Sequence, residues 1–158
     1  MTEENLRTVF FDFKGVILID FLHERQTVNA TYYSQLLDNA KTAYRQKRCG
    51  FPIRDIILLQ DNARPHTDAL TMEKIETLSW TTLKHPPYSP DLSPCDYHLF
   101  GPMKKTLGGK RFDDDVAVQD FMRNWLMAQL SSFYKNGITK LPIRCEKCVT
   151  KSGDYVKK

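Results

Sequence analysis

The sequence predicts an α/β fold in which a mixed sheet is flanked by helices. Two runs rich in β-branched and aromatic residues stand near the start and are separated only by Lys14-Gly15, so they predict an antiparallel pair. Farther along, short apolar runs alternate with segments of helical periodicity, the order expected of strands covered by helices. The chain has 158 residues, which suffices for one hydrophobic core, so we predict a single domain over residues 1–158.

The first third of the chain predicts two strands and a helix. Arg7–Phe13 and Val16–Leu22 are the predicted strands of the hairpin. Asn29 is a suitable N-cap for a helix that runs to Arg48, because apolar residues recur at helical spacing between them. Gly50 then ends the helix.

The middle of the chain predicts two further strands around a helix. Ile53–Leu59 lacks clean alternation, which is typical of a central strand covered on both faces. Thr67–Leu78 is predicted to be helical. Its predicted inward residues are Ala69, Met72, Ile75 and Leu78. Trp80–Lys84 predicts a short strand, and the four prolines of residues 85–94 exclude helix and ladder from the connector that follows.

The last part of the chain predicts three helices. Cys95–Leu107 follows Ser93 as N-cap and Pro94 at the first helical position. Asp113–Tyr134 is the longest predicted helix. Its inward stripe comprises Val118, Phe121, Met122, Trp125, Leu126, Leu130 and Phe133. A final helix is predicted over Gly137–Val149.

Composition limits the functional classes. The net charge of +4 permits nucleic-acid binding without requiring it, and solvated helix ends explain the local basic clusters equally well. No apolar run reaches the roughly 18 residues of a membrane span, and no secretory signal is recognisable. Of the four cysteines, Cys145 and Cys148 form an isolated CxxC, which is a weak zinc signal. We predict reduced, structural thiols in an intracellular protein.

Two carboxylates are the leading site candidates. Asp61 follows the predicted central strand, and Asp96 stands in the first turn of the helix after the next strand. Because neighbouring strands bring their carboxyl ends together, the two side chains could converge. Converging carboxylates are the hard oxygen ligands that Mg²⁺ or Mn²⁺ prefers, and two such ions serve phosphodiester displacement. Read alone, Asp61 is equally consistent with a strand-ending or helix-capping residue.

Other polar residues near these acids are weaker candidates. His66 and His98 could orient water or contact phosphate, although local packing explains such histidines more often. Asp12 lies at the hairpin turn, at the opposite end of the sheet from Asp61. Asp20 lies near the correct edge but several strands away, and Asp91 is interpreted as a structural loop acid.

Three motifs resemble the catalytic core of mariner-family transposases. They are Gln60-Asp61-Asn62-Ala63-Arg64-Pro65-His66, the stretch from His85 to Phe100 (HPPYSPDLSPCDYHLF), and Gly109-Lys110-Arg111-Phe112. The 34 residues between Asp61 and Asp96 equal the spacing that this family keeps between its second and third catalytic acids. The resemblance extends over nearly the whole chain.

The resemblance implies an RNase H-like fold and metal-dependent cutting and joining of transposon DNA in the nucleus. Asp61 and Asp96 would then be catalytic acids and ligands of Mg²⁺ or Mn²⁺. DNA is the implied partner. The candidate nucleic-acid-binding residues are Arg64, His66, Lys104, Lys105, Lys110 and Arg111.

The sequence also departs from the family pattern. The Thr-Gly-Asp-Glu-type motif that carries the family's first acid on its first strand does not occur, and neither do helix-turn-helix domains. Gln60 replaces the usual histidine before the acid, and Cys145 replaces a tryptophan. We therefore expect impaired catalysis. The gap left by the first strand predicts either direct pairing of Arg7–Phe13 with Ile53–Leu59 or completion by the N-terminus, a second copy or another partner strand.

Two functional interpretations follow, and whether the chain is an enzyme is left open. The first is a transposase-derived catalytic domain with two of its three acids. The alternative is a non-enzymatic, domesticated DNA- or protein-binding module, or a fragment of a fusion between a SET-type methyltransferase and a mariner transposase. No residue in this sequence suggests methyl transfer.

Overall fold

The computed structural model describes residues 6–21, 27–53, 56–83, 85–86 and 89–150. Its strands are β1 (Leu6–Asp12), β2 (Gly15–Phe21), β3 (Ile57–Leu59) and β4 (Thr81–Leu83). Its α-helices are α1 (Ala30–Lys47), α2 (Arg64–Thr67), α3 (Ala69–Thr77), α4 (Gly101–Leu107), α5 (Asp115–Ala128) and α6 (Ser131–Thr150). A 3-10 turn at Pro90–Leu92 and a π-helical segment at Cys95–Phe100 precede α4.

The chain divides into two compact units. Residues 1–21 and 88–158 form one, here called the hairpin unit, and residues 22–87 form the other, the α1–β4 unit. The boundary at residues 87–88 falls in the proline-rich connector. The predicted single domain over 1–158 stays a prediction.

The predicted antiparallel hairpin is confirmed. β1 and β2 pair with Val9 opposite Ile19. The turn is held by Asp12, whose Oδ1 accepts hydrogen bonds from the amides of Lys14 (2.9 Å) and Gly15 (3.2 Å). Gly15 has φ +137°, a conformation that favours glycine. Asp12 is therefore a structural turn residue.

The core of the hairpin unit lies between the hairpin and the last helices. Its buried residues are Val9, Val16, Leu99, Met103, Val118, Met122, Leu126 and Tyr134. They come from β1, β2, the π-helical segment and three α-helices, so burial of one apolar cluster holds these elements together.

The α1–β4 unit packs α1 against α3 beside a parallel pair of strands. α1 begins as predicted, with the Asn29 side chain accepting the amide of Tyr32 at 2.8 Å. Its buried face includes Tyr33, Leu36 and Leu37, at the predicted helical spacing.

The two strand pairs are separate in the described part of the chain, since β1 pairs only with β2 and β3 only with β4. Direct pairing of Arg7–Phe13 with Ile53–Leu59, one of the two predicted alternatives, is thus not observed there. Completion of the sheet by another strand stays a prediction. The predicted strand residues Leu22, Arg54, Asp55 and Lys84 lie outside the described residues.

Two predictions around the short strands were wrong in detail. β3 is shorter than the predicted run Ile53–Leu59, and Ile57 is 67% exposed although we predicted cover on both faces. The connector was predicted to exclude helix, yet Pro90–Leu92 form a 3-10 turn. Proline is disfavoured in a helix interior, but its fixed φ suits the first position of a turn.

The predicted helix Thr67–Leu78 is divided into α2 and α3. Asp68 interrupts it, because its side chain caps α3 by accepting the amide of Leu70 at 2.9 Å. The cap changes the inward face, so Thr71 is buried while Ala69 and Met72 are exposed, contrary to prediction. The Thr71 hydroxyl donates to the carbonyl of Pro65, which satisfies the buried group.

The predicted helix Asp113–Tyr134 is two helices, with extended backbone at Gln129 (ψ 141°). The break lets Tyr134 fold back, and its hydroxyl donates to the carbonyl of Leu126 at 2.5 Å. A continuous helix would separate these residues by about 12 Å along its axis. Leu130, predicted inward, is consequently 76% exposed at the junction. The predicted final helix Gly137–Val149 is the later part of α6.

Candidate functional site

Asp61 directly follows β3, and its carboxylate is held by two donors. Its Oδ1 accepts hydrogen bonds from His66 Nδ1 (2.5 Å) and from the amide of Ala63 (2.9 Å). The His66 bond is the largest cause that lowers the pKa of Asp61, and partial burial opposes it. The carboxylate is therefore ionised at neutral pH, and His66 Nδ1 carries the shared proton. Both bonds use Oδ1, and no donor among the described residues reaches Oδ2.

Contacts with Tyr33 and Gln60 hold His66 in place beside Asp61. The His66 ring lies 4.1 Å from that of Tyr33 on α1. The Tyr33 hydroxyl donates to Gln60 Oε1 at 2.7 Å, and Gln60 Nε2 donates to the carbonyl of His66 at 3.1 Å. Gln60, the departure from the family pattern, thus serves as a bridge between α1 and α2. Neither the contact with Tyr33 nor this role of Gln60 is evident from the sequence, because α1 is distant in sequence from Asp61.

The loop after β3 is also tied to the end of β4. Asn62 Nδ2 donates to the carbonyl of His85 at 2.7 Å. β3 and β4 run parallel with Leu59 opposite Leu83, so their carboxyl ends lie side by side. Asp61 therefore stands at the edge of the strand pair where the sequence analysis placed it.

Asp96 lies in the hairpin unit, in the first turn of the π-helical segment. Its amide donates to the carbonyl of Ser93 at 2.9 Å, which begins the segment, and its side chain is exposed. The carboxylate accepts no hydrogen bond from the described residues. Asp61 and Asp96 thus belong to different units.

His98 points away from the solvent side of this segment. Its Nε2 lies 2.7 Å from the carbonyl of Phe133, which can only accept, so Nε2 carries the proton. Its ring stacks on Phe133 with 4.4 Å between centroids. Burial lowers the pKa of His98, which favours the neutral imidazole. Here the structural interpretation of this histidine accounts for its contacts.

The remaining acids and the thiols do not form a further cluster. Asp91 offers its carbonyl to Arg144 at 3.3 Å, in keeping with a structural role. In the described ranges no group of three or more His, Cys, Asp or Glu side chains is arranged to hold a metal ion. None of the four cysteines, all of which lie within the described residues, forms a disulfide, and burial raises the pKa of Cys145.

The predicted nucleic-acid-binding residues lie in two places. Arg64 begins α2, beside the Asp61 loop, and is exposed. Lys104 and Lys105 lie in the last turn of α4, and Lys110 and Arg111 follow it; all four are exposed. His66, predicted to contact nucleic acid, is engaged with Asp61 instead, and its contact with DNA stays a prediction.

No helix in the described part of the chain is long and apolar enough to cross a membrane.

Comparison with known sequences identifies similar proteins. Residues 3–54 match the family described as transposase, partial DDE domain. The chain is 40% identical over 156 residues to the mariner Mos1 transposase of Drosophila mauritiana, which covers 98% of this chain and 45% of that protein. It is 35% identical over 149 residues to the histone-lysine N-methyltransferase SETMAR of Homo sapiens, covering 94% of this chain and 22% of that protein. The chain thus spans less than half the length of either relative.

A solved structure shares the fold. The catalytic domain of Mos1 transposase, determined with raltegravir and magnesium, superposes with a TM-score of 0.90 at 42% identity. The match covers 94% of this chain and 75% of that one. The RNase H-like, mixed α/β fold predicted from the sequence is confirmed.

Proposed function

Because this chain belongs to the mariner transposase family, we propose that it supplies two of three catalytic acids for cutting and joining transposon DNA in the nucleus. Asp61 and Asp96 are the proposed second and third acids. The observation that carries the proposal is the similarity to a transposase catalytic domain at 42% identity over 94% of the chain. The spacing of the two acids and their surrounding motifs support the assignment.

The two carboxylates suit a divalent cation such as Mg²⁺ or Mn²⁺. Both are oxygen ligands of the kind these ions prefer. His66 and the Ala63 amide hold Oδ1 of Asp61, no donor among the described residues reaches Oδ2, and the side chain is 55% exposed. When bound, the metal would stabilise the attacking and leaving oxygens of a phosphodiester. Asp96 is the second proposed ligand, and its exposed carboxylate accepts no hydrogen bond from the described residues.

We also propose that these 158 residues alone do not catalyse the cleavage or joining of DNA. Their sequence holds no counterpart of the family's first acid, and two carboxylates bind Mg²⁺ weakly without substrate phosphates. In a reaction with Mn²⁺ and nicked DNA, we expect no cleavage. Cleavage that Asp61→Ala abolishes would show that catalysis survives with two acids.

Metal binding is tested separately by titrating Mn²⁺ into the ¹⁵N-labelled protein. We expect the amide signals around Asp61 and around Asp96 to broaden in the millimolar range of a weak site. Asp61→Asn and Asp96→Asn should each weaken the broadening. Asp120→Asn is the matched control, because Asp120 is an exposed acid on α5, 62% exposed and paired only loosely with Arg123. If the Asp120 variant has the same effect as the other two, the ion is held by net charge rather than by these acids.

DNA binding without chemistry is the second candidate function. The exposed Lys104, Lys105 and Arg111 favour it, and the similarity to SETMAR is in keeping with a transposase domain within a longer protein. Binding of this kind should fall steeply with salt, because it releases counterions, and should survive Asp61→Ala and Asp96→Ala. Binding that these two substitutions eliminate would favour the metal-dependent function.

A further inference from the structure

Helix α6 accepts hydrogen bonds from the two residues of the π-helical segment that immediately follow Asp96. The Tyr97 hydroxyl donates to the carbonyl of Gly137 at 2.5 Å, and His98 Nε2 donates to the carbonyl of Phe133 one turn earlier. Both acceptors lie on α6, and both donors follow Asp96 directly. The position of the acid is thus coupled to that of α6 by two adjacent hydrogen bonds.

Gly137 allows this close approach. It is buried, and a Cβ at this position would lie 2.5 Å from His98 Cδ2 and 2.9 Å from Cγ. Separations below 3.0 Å do not occur between real Cβ atoms and their neighbours, so any larger residue forces the ring or the helix to move. The His98 ring is itself stacked on Phe133 and bonded to its carbonyl, which leaves it little freedom to yield.

Arg144, about two turns after Gly137 on α6, contacts the same segment. Its guanidinium lies 4.2 Å from the centroid of the Tyr97 ring, and its Nη1 donates to the carbonyl of Asp91 at 3.3 Å. Arg144 therefore joins the 3-10 turn that precedes Asp96 to the ring that follows it.

The segment between these contacts has unusual backbone geometry. Cys95–Phe100 is π-helical, a form that is rare and is frequently found at functional sites. Leu99, fully buried, anchors it in the core of the hairpin unit. A wider helix rotates successive side chains differently from an α-helix, so the direction of Asp96 depends on this geometry being maintained.

We infer that Gly137 is a positioning residue for Asp96: by admitting the His98 ring, it lets α6 hold the π-helical segment that directs the acid toward its metal. The inference rests on the proposed function of Asp96 as a metal ligand. Gly137 contacts neither metal nor DNA in this role and acts through His98 and Tyr97.

Gly137→Ala is the decisive substitution, because helix propensity and the contact with His98 predict opposite effects of the added methyl group on α6. Helix propensity alone predicts that alanine stabilises α6. The contact with His98 predicts a displaced segment. We expect the Mn²⁺ concentration that broadens the amide signals around Asp96 to rise about tenfold, as is typical when support behind a ligand is lost. The free energy of unfolding, measured by urea denaturation, serves as the reference for general destabilisation, because both acids are proposed to hold the metal.

Gly101→Ala is the matched control. Gly101 begins α4 just after the segment, and an added Cβ there meets nothing within 4 Å. We expect its Mn²⁺ response to equal that of the unaltered chain. Tyr97→Phe gives a second, milder variant, which keeps the ring beneath Arg144 and removes only the bond to the Gly137 carbonyl; it should change the Asp96 response in the same direction as Gly137→Ala. In a His98→Ala background, adding Gly137→Ala should have no further effect.

The outcomes separate the two proposals. Equal Mn²⁺ responses of the unaltered chain and Gly137→Ala around Asp96, with broadening present in both, overturn the positioning role and leave the proposed function intact. A weaker Mn²⁺ response that is accompanied by an equivalent loss in the free energy of unfolding overturns it too, since it indicates general destabilisation. No broadening at either acid in the unaltered chain overturns the proposed function, and the positioning role with it.

Discussion

The two proposed acids are held in opposite ways. Asp61 is oriented through its own carboxylate, by an imidazole and an amide that both bind Oδ1. Asp96 has no such bond within the described residues, and its neighbours are fixed instead, by α6 and by burial of Leu99. The first arrangement depends on charge and proton position, and the second depends on volume. Substitutions can therefore disturb either acid without the other.

The largest effect should come from the volume-dependent arrangement. Leu99→Ala empties a fully buried site in the π-helical segment and should reduce the free energy of unfolding by about 2–5 kcal/mol. Urea denaturation measures this loss. Leu70→Ala, at a residue 44% exposed on α3, is the matched control and should change stability by less than about 0.5 kcal/mol. Similar losses in the two variants would mean that Leu99 does not anchor the segment.

Much of the fold follows from local sequence. The hairpin was predictable because a turn of only two residues separates its strands, so the chain reverses direction and the strands pair antiparallel. In the structure this turn is Phe13-Lys14, flanked by Asp12 and Gly15. α1 was predictable because Asn29 caps it and the stripe from Tyr33 to Ala40 keeps a helical period. The break at Gln129 was not predictable, since it is stabilised by Tyr134 folding back onto Leu126, a contact that periodicity cannot register.

The residues of the candidate site likewise divide into those that local sequence identifies and those that it does not. Motifs and spacing identified Asp61, Asp96 and the loops around them, because these polar residues can be recognised in the local sequence. The contact that makes Gly137 important could not be predicted, because it comes from a ring 39 positions earlier, at His98. The π-helical backbone of residues 95–100 was equally hidden, since its sequence is compatible with an ordinary α-helix.

The charge-dependent arrangement should respond to a smaller change at His66. His66→Ala removes the bond that lowers the pKa of Asp61, so this pKa should rise toward its ordinary value. A carboxyl ¹³C titration by NMR measures the change. Because the Asp61 side chain is 55% exposed, the cost in stability at neutral pH should stay below about 1 kcal/mol. His66→Asn can place an amide donor where Nδ1 stood and should recover part of the shift.

The pH dependence of the free energy of unfolding is an independent test of the contact between Asp61 and His66. A carboxyl group whose pKa is lowered in the folded state contributes stability above its unfolded pKa and loses it as the pH falls through the folded value. The unaltered chain should therefore lose stability as the pH falls below about 4, and His66→Ala should lose less over that interval. If the pKa of Asp61 and this acid dependence are both unchanged in His66→Ala, the Ala63 amide alone orients the carboxylate. The contrast between a charge-held Asp61 and a volume-held Asp96 would then reduce to two segments that are both fixed by backbone.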